Sequence, residues 1–367
     1  MHTENLDRAT PDAKRIADAL LHWYIREQRE LPWRRTADPY RIWVSEIMLQ
    51  QTQVATVTPY YERFFARFPT ACALAASSLD DLLALWQGLG YYARARNLHA
   101  AAKIICEQHG GNIPSRRSEL LSLPGVGAYT AGAILSIAFG QDIPAIDGNV
   151  LRVLCRFFDY DRDPTKARGK KAIRRYAQEL LPTGRAGDHN QAMMELGARI
   201  CLPRAPLCDE CPLAPYCKSR AIGNQAVRPV PKVRKQIPHR RLVAALCEQD
   251  GCLLIVRRVP RGLLGGLWEL PGGEVSPEET DAYALSRHAD DGIGVRLEVG
   301  SKESVVKHAY THFRITVHTY CCTIDGMPAP SHQWDDHHWL SPDEMLRYGL
   351  TGVTQKILSL THWPETS

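Results

Sequence analysis

Four cysteines crowd one short stretch of the chain. Cys201, Cys208, Cys211 and Cys217 stand in a C-x6-C-x2-C-x5-C arrangement just after the helical pattern NQAMMELGARI. Thiolates this close together bind metal. A four-cysteine zinc site ordinarily takes its ligands from two C-x2-C-like pairs, and only one such pair is present here, so the spacing suits zinc poorly. Two carboxylates are the other candidates for chemistry. Glu46 lies inside the apolar run PYRIWVSEIMLQQTQV, three residues after Trp43 and one before Ile47. It is there either as a solvated residue on a polar face or as a desolvated acid with a raised pKa. Asp147, in IPAIDGNVLRVLCRFF, sits between an apolar run and the first turn of a helix, where an aspartate either caps the helix or presents a carboxylate for chemistry.

The elements that must hold these groups are helical. Apolar residues recur at three and four in DAKRIADALLHWYIRE, in SLDDLLALWQGLG and in ARNLHAAAKIICEQHG, which predicts an all-α half over residues 1–222. In RRSELLSLPGVGAYTAGAILSIAF a short helix ends near Ser122, a turn uses Pro124, Gly125 and Gly127, and a second helix begins around Ala128. Such a turn uncovers backbone N–H groups at the positive end of the next helix, a natural seat for one phosphate. Residues 223–240 carry prolines at 229, 231 and 238 and no apolar periodicity, as an extended linker would. Beyond it, RLVAALCEQDGCLLIVRRV reads as two strands joined at Asp250-Gly251, and YTHFRITVHTYCCTI as another strand. Helical patterns at SPEETDAYALSRHADD and TGVTQKILSLTH complete an α/β domain over 241–367.

LPGVG, a helix, and an aspartate about twenty residues later resemble the helix-hairpin-helix, Gly/Pro, Asp motif of the endonuclease III superfamily of DNA glycosylases. In that superfamily the hairpin, here Gly125 and Gly127, grips DNA backbone, and the aspartate serves the chemistry. The cysteine spacing is similar to its [4Fe–4S] loop, so the resemblance implies that cluster over 201–217, with Arg204, Lys218 and Arg220 as phosphate contacts beside it. Members that also cut the strand carry a lysine two residues after the second hairpin glycine. Here that place is Tyr129, which cannot form a Schiff base, so base removal without strand cleavage is implied.

WVSEIMLQQTQV resembles, more narrowly, the adenine DNA glycosylases of the MutY type, which remove adenine opposite 8-oxoguanine. The resemblance makes Glu46 the acid that protonates the leaving base at N7 and Asp147 the anion that stabilises positive charge on the sugar. Tyr129 then hydrogen-bonds into the carboxylate site. A first-turn position and partners such as Asn149 are expected to keep the pKa of Asp147 low, while apolar walls keep that of Glu46 high. Gln51 and Tyr91 resemble residues that wedge into the base stack when the target base is turned out, and Trp33, Arg34 and Gln191 resemble the lining of the adenine pocket. A thymine or uracil mismatch glycosylase, which can also carry tyrosine at the lysine position, and a non-catalytic DNA-binding module are the alternatives.

GLWELPGGEVSPEETDAYALSRHADDGIGV resembles a Nudix box, aligned from Gly273. Glu279, Arg287 and Gly294 are kept, but His288, Asp291 and Gly292 stand where glutamates belong. The metal site is thereby dismantled, and a Nudix-like fold reused for recognition of 8-oxoguanine is implied. Tyr310, Thr311 and His312 occupy the place of that family's Phe-Ser-His loop and are the expected lesion contacts.

The net charge of +5 is modest, but its distribution is uneven. Residues 218–241 hold eight Lys or Arg and no acid, and residues 162–175 hold seven basic residues against one acid, as solvated faces or as nucleic-acid contacts. No stretch approaches the ~18 apolar residues of a membrane span, and the N-terminus has no apolar signal region, so a monomeric cytoplasmic, nucleoid-associated protein acting on duplex DNA carrying A:8-oxoguanine or A:G mispairs is expected. Outside the bunched four, the cysteines are expected to be reduced thiols.

Overall fold

The computed structural model describes residues 13–230, 237–310, 312–345 and 347–361. Part of the predicted linker, and Thr311, lie outside these. The chain divides into two compact units, one of residues 1–62, 70–72 and 100–234, the other of 63–69, 73–99 and 235–367.

In chain order the helices are α1 (Ala13–Glu27), α2 (Pro39–Leu49), α3 (Val54–Arg67), α4 (Ala71–Ala76), α5 (Leu79–Trp86), α6 (Ala93–His109), α7 (Arg117–Ser122), α8 (Ala128–Ile137), α9 (Gly148–Phe157), α10 (Ala167–Leu180), α11 (Ala186–Arg199) and α12 (Lys218–Ile222). α2 starts where Asp38 accepts from the Tyr40 N–H at 2.9 Å, with Pro39 pre-set for the first turn. Its residues Ile42, Trp43, Val44, Ile47 and Met48 are all buried, so it is an interior helix without a polar face. α9 is the opposite case. Val150, Val153, Leu154 and Phe157 form one stripe that packs into a core with Leu20 and Trp23 of α1, Ile173 of α10 and Leu196 of α11. Cys72 and Cys106 are joined by a disulfide, so the expectation of reduced thiols fails for this pair, whose separation of 34 residues left no local sign of it.

The second unit is built on a mixed sheet of β1 (His239–Gln249), β2 (Cys252–Arg258), β3 (Trp268–Glu269), β4 (Gly272–Glu274), β5 (Arg296–Ala309), β6 (Arg314–Asp325) and β7 (Trp334–Leu340). The order is β3-β2-β1-β6-β5, with β1 and β6 parallel, β4 against β1 and β7 against β2. Alternation along β1 feeds two cores. Val243, Ala245 and Cys247 face α13 (Asp281–Ile293), while Ala244 and Leu246 face the layer that includes Val353 and Ile357. α14 (Pro342–Met345) and α15 (Gly352–Leu358) follow. The helical segment 73–99 belongs to this unit. Arg96 donates to the Gly265 and Gly262 carbonyls at 2.6 and 3.0 Å, and a Cβ on Gly349 would lie 2.8 Å from the Leu83 side chain, so α5 approaches only because residue 349 has none.

Candidate active site

α2 gives Glu46 no polar face to turn outward. The side chain is 6% exposed and opens instead on a cavity of about 710 Å³ that is also lined by Tyr129 of α8, Asp147, Asn149 and Arg152 at the start of α9, and Gln191, Met194 and Glu195 of α11. Burial pushes the Glu46 carboxyl up to about 7, the Tyr129 hydrogen bond pulls it down, and the charge of Asp147 adds to the rise. The Tyr129 hydroxyl donates to Glu46 Oε2 at 2.5 Å. Its own pKa is held far above the usual tyrosine value by burial and by the two carboxylates.

Asp147 is both a cap and a cavity residue. Its Oδ1 accepts from the Val150 N–H at 2.7 Å, closing the first turn of α9, and its Oδ2 accepts from Asn149 Nδ2 at 3.0 Å. The expectation of a low pKa is overturned. Burial raises it, and outweighs the lowering by these hydrogen bonds and by the Arg152 charge. α11 can lie this close because Gly197 has no side chain; a Cβ there would lie 2.6 Å from Asn149 Cβ. Asn190 holds the incoming segment, accepting from the Ala145 N–H and donating to Ser136 and the Ile143 carbonyl.

The structure adds a group that sequence reasoning missed. Glu195, 1% exposed, accepts from Arg29 Nε and Nη2 at 2.8 Å each and from Arg34 Nη2 at 2.9 Å. Burial alone would raise its pKa, but the two arginines overcome that and hold it at about 2. The signal was present: Glu195 interrupts an apolar stretch of NQAMMELG one helical turn after Gln191, as Glu46 interrupts its own. Trp33, Arg34 and Gln191 do line the cavity.

In the hairpin, Gly125 has φ +76°, which only glycine adopts cheaply, whereas Gly127 is extended and open, with nothing within 4 Å of where a Cβ would stand. Gln51 (φ +57°) and Tyr91 (φ +50°) are two of six non-glycine residues with left-handed backbone among the described residues. Both are exposed, Tyr91 by 44%, so it is no core aromatic. The bunched cysteines share one loop. Burial pushes the Cys211 thiol up to about 12, and Cys201, Cys217 and Cys208 are near enough to add to the rise. Arg156 Nη1 donates to Cys201 Sγ at 3.3 Å. Among the described residues no three His, Cys, Asp or Glu side chains close tightly around a single ion. Arg220 is paired with Asp209 at 3.0 Å rather than unengaged, and Lys218 lies over the Phe158 ring.

In the sheet unit, two of the altered Nudix-box positions are packed, while Asp291 is exposed. The Trp334 ring lies over Gly292, leaving no room for a side chain, and His288 sits against Gly273 with Nε2 2.9 Å from the Glu274 carbonyl. Glu279 is tied to Arg287 by two hydrogen bonds of 2.8 Å. Tyr310 is half-buried between His308 and Phe313, and burial pushes its hydroxyl up to about 12, with Tyr92 close enough to contribute. His312 is exposed, and Thr311 lies outside the described residues.

A model of the HhH-GPD superfamily of base excision DNA repair proteins matches residues 44–182, and a NUDIX domain model matches 242–360. Fold and site together define the class, a helix-hairpin-helix base excision DNA glycosylase with a NUDIX domain behind it. The adenine DNA glycosylase of Homo sapiens is 35% identical, aligned with 96% of this chain and 75% of its own length, and that of Buchnera aphidicola from Acyrthosiphon pisum is 38% identical, covering 94% and 96%. The chain belongs to the adenine DNA glycosylases. A thermostable thymine-DNA glycosylase structure is 30% identical with a TM-score of 0.53, but it covers 57% of this chain against 97% of its own.

Proposed function

We propose that this enzyme hydrolyses the N-glycosidic bond of adenine mispaired with 8-oxoguanine or guanine in duplex DNA and leaves the strand intact. The observation that carries the reading is one cavity holding a carboxyl with a pKa of about 7 within reach of the charge of a second carboxylate. Adenine departs poorly as an anion. Glu46, protonated on the oxygen that Tyr129 does not occupy, donates to N7 as the bond to the sugar stretches, an effect typically worth ~10²–10⁴ in rate. Asp147, braced by Val150 and Asn149, faces the positive charge that develops on the deoxyribose, and water then adds to the anomeric carbon and gives up a proton to solvent, which completes the abasic site. Tyr129 has no amine, so no Schiff base forms and the abasic strand is released uncut. Gln191, Arg34 and Trp33, with Arg34 held by Glu195, receive the extruded base.

The turn at Gly125 and Gly127 seats a backbone phosphate, and Gln51 and Tyr91 fill the gap in the stack. Left-handed backbone at a bulky residue costs of order 1–3 kcal/mol and persists at sites where a side chain must be aimed, which supports the wedge role for both. We assign catalysis to residues 1–222 and lesion reading to 241–367, joined by 223–240, with Tyr310, Thr311 and His312 at the 8-oxoguanine. Cys201, Cys208, Cys211 and Cys217 would hold a [4Fe–4S] cluster. The four thiols influence one another within one loop, and Arg156 donates to Cys201 Sγ, a donor set of thiolates with a cation beside it that fits such a cluster. Bound there, the group would supply cross-links within the loop, from which Arg204 and Lys218 would meet DNA phosphates. The enzyme works where the chromosome is, in the cytoplasmic nucleoid.

Base release from duplexes carrying A:8-oxoguanine, A:G and T:G, with borohydride added in parallel, tests the reading. Release is expected from the first two without covalent trapping. Preferential release of thymine, or strong trapping, would refute it.

A further inference from the structure

We infer that Arg94 is a positioning residue that fixes the posture of Tyr91 for entry into the base stack, an inference that rests on the wedge reading of Tyr91. The turn after α5 is conformationally expensive. Gly88, Gly90 and Tyr91 have φ of +96°, +69° and +50°, and the last has no glycine to ease it. Chain stiffness alone does not hold such a turn. Arg94, 8% exposed, reaches back from the first turn of α6, and its Nη2 donates to the carbonyls of Leu89 and Gly90 at 3.0 Å each. Trp86, fully buried, donates its indole N–H to the same Gly90 carbonyl at 3.2 Å.

Fixing that carbonyl fixes the plane of the peptide between residues 90 and 91, and with it the direction in which Tyr91 leaves the backbone. The guanidinium is also 5.5 Å from the centres of both the Trp86 and the Tyr91 rings. One cation is thus fastened to the turn through its Nη2 donor and lies over the ring that is presented. Burial lowers the Arg94 pKa to about 10, which still leaves it charged at neutral pH, so the cation–π contact persists there. A lysine could keep the charge and a hydrogen bond but not the flat face.

A double-mutant cycle separates this role from a merely structural one. Single-turnover excision from an A:8-oxoguanine duplex would be measured for wild type, Tyr91→Ala, Arg94→Met, Arg94→Lys and the Tyr91→Ala, Arg94→Met pair. The fluorescence of a 2-aminopurine beside the mispair would report wedge insertion, and thermal midpoints would report the fold. Base stacking on an aromatic is worth ~1–3 kcal/mol, so Tyr91→Ala is expected to lose about tenfold in excision at subsaturating enzyme. Arg94→Met should lose a similar factor together with the fluorescence change, Arg94→Lys should lie between it and wild type, and the pair should be no worse than Tyr91→Ala alone. Losses that multiply in the pair, or wild-type behaviour of Arg94→Met, would overturn the role of Arg94 while leaving the wedge intact. Wild-type excision and fluorescence in Tyr91→Ala would overturn the wedge reading itself, and the inference with it.

Discussion

The helical unit and the sheet unit treat their carboxylates in opposite ways. In the first, Glu46, Asp147 and Glu195 are kept in one cavity, and their environments drive them apart: burial lifts Glu46 to about 7, while two arginines hold Glu195 at about 2. In the second, two of the three positions where a Nudix box would carry glutamates have been closed by packing, with the Trp334 ring over Gly292 and His288 against Gly273, and the third, Asp291, is exposed. The one box glutamate that remains, Glu279, is neutralised by Arg287. Catalytic capacity follows the space and the partners left around a carboxylate, since the same residue type serves as acid, as anchor and as a link in an ion pair.

The sharpest way to break the comparison is to remove the acid from the first unit. Glu46→Gln keeps the shape and can still accept from Tyr129, but it has no proton to give. Excision of adenine is expected to fall by ~10²–10⁴ with DNA affinity retained, by single-turnover assay and by mobility shift. Near wild-type turnover would remove Glu46 from the mechanism. The pH profile is the next largest effect. If Glu46 is the acid, the active form has it protonated, so excision should fall as pH rises through about 7, approaching tenfold per unit above it. The proposed role of Asp147 has it ionised, so the acid limb should lie above the ordinary aspartate value, because burial raises that group. A profile flat from pH 6 to 9 would contradict the assignment.

The sheet unit is tested through stability. Gly292→Glu restores a box glutamate where the Trp334 ring now lies, so it must displace a fully buried indole. Overpacking of this kind costs ~1–3 kcal/mol and should appear as a lower unfolding midpoint by calorimetry. The variant is also expected to hydrolyse no nucleoside triphosphate with magnesium, since one acid does not rebuild the box while His288 and Gly273 remain packed together. Unchanged stability would mean that the site is looser than its packing implies.

What was legible in the sequence was local. An acid in an unbroken apolar helix announced Glu46, and cap position announced the backbone and Asn149 partners of Asp147. Whatever depends on distant segments was hidden. The degree of burial of Asp147, and so the direction of its shift, is set by the helices that close over it. The Cys72–Cys106 bond joins segments with no shared pattern. The grouping of residues 73–99 with the C-terminal sheet rests on contacts such as Arg96 with Gly262 and Gly265, which no periodicity encodes. Glu195 is the exception, readable in the sequence by the same rule as Glu46.

The smallest expected effect distinguishes contact from support within the lesion loop. Tyr310 is wedged between His308 and Phe313 at ring distances of 4.7 and 4.9 Å, and its N–H closes the turn on the Phe313 carbonyl at 2.9 Å. It builds the loop. His312 is exposed and two residues along, and in the proposed reading it is the side chain that meets a base edge. His312→Ala should therefore leave the unfolding midpoint unchanged and lower the preference for A:8-oxoguanine over A:G only a few-fold, the scale of one exposed hydrogen bond at ~0.5–1.5 kcal/mol. Tyr310→Ala should lower the midpoint as well, because it removes a packed ring. If His312→Ala destabilised the protein as much as Tyr310→Ala, the loop would be one packed structure and its histidine no reader of the lesion.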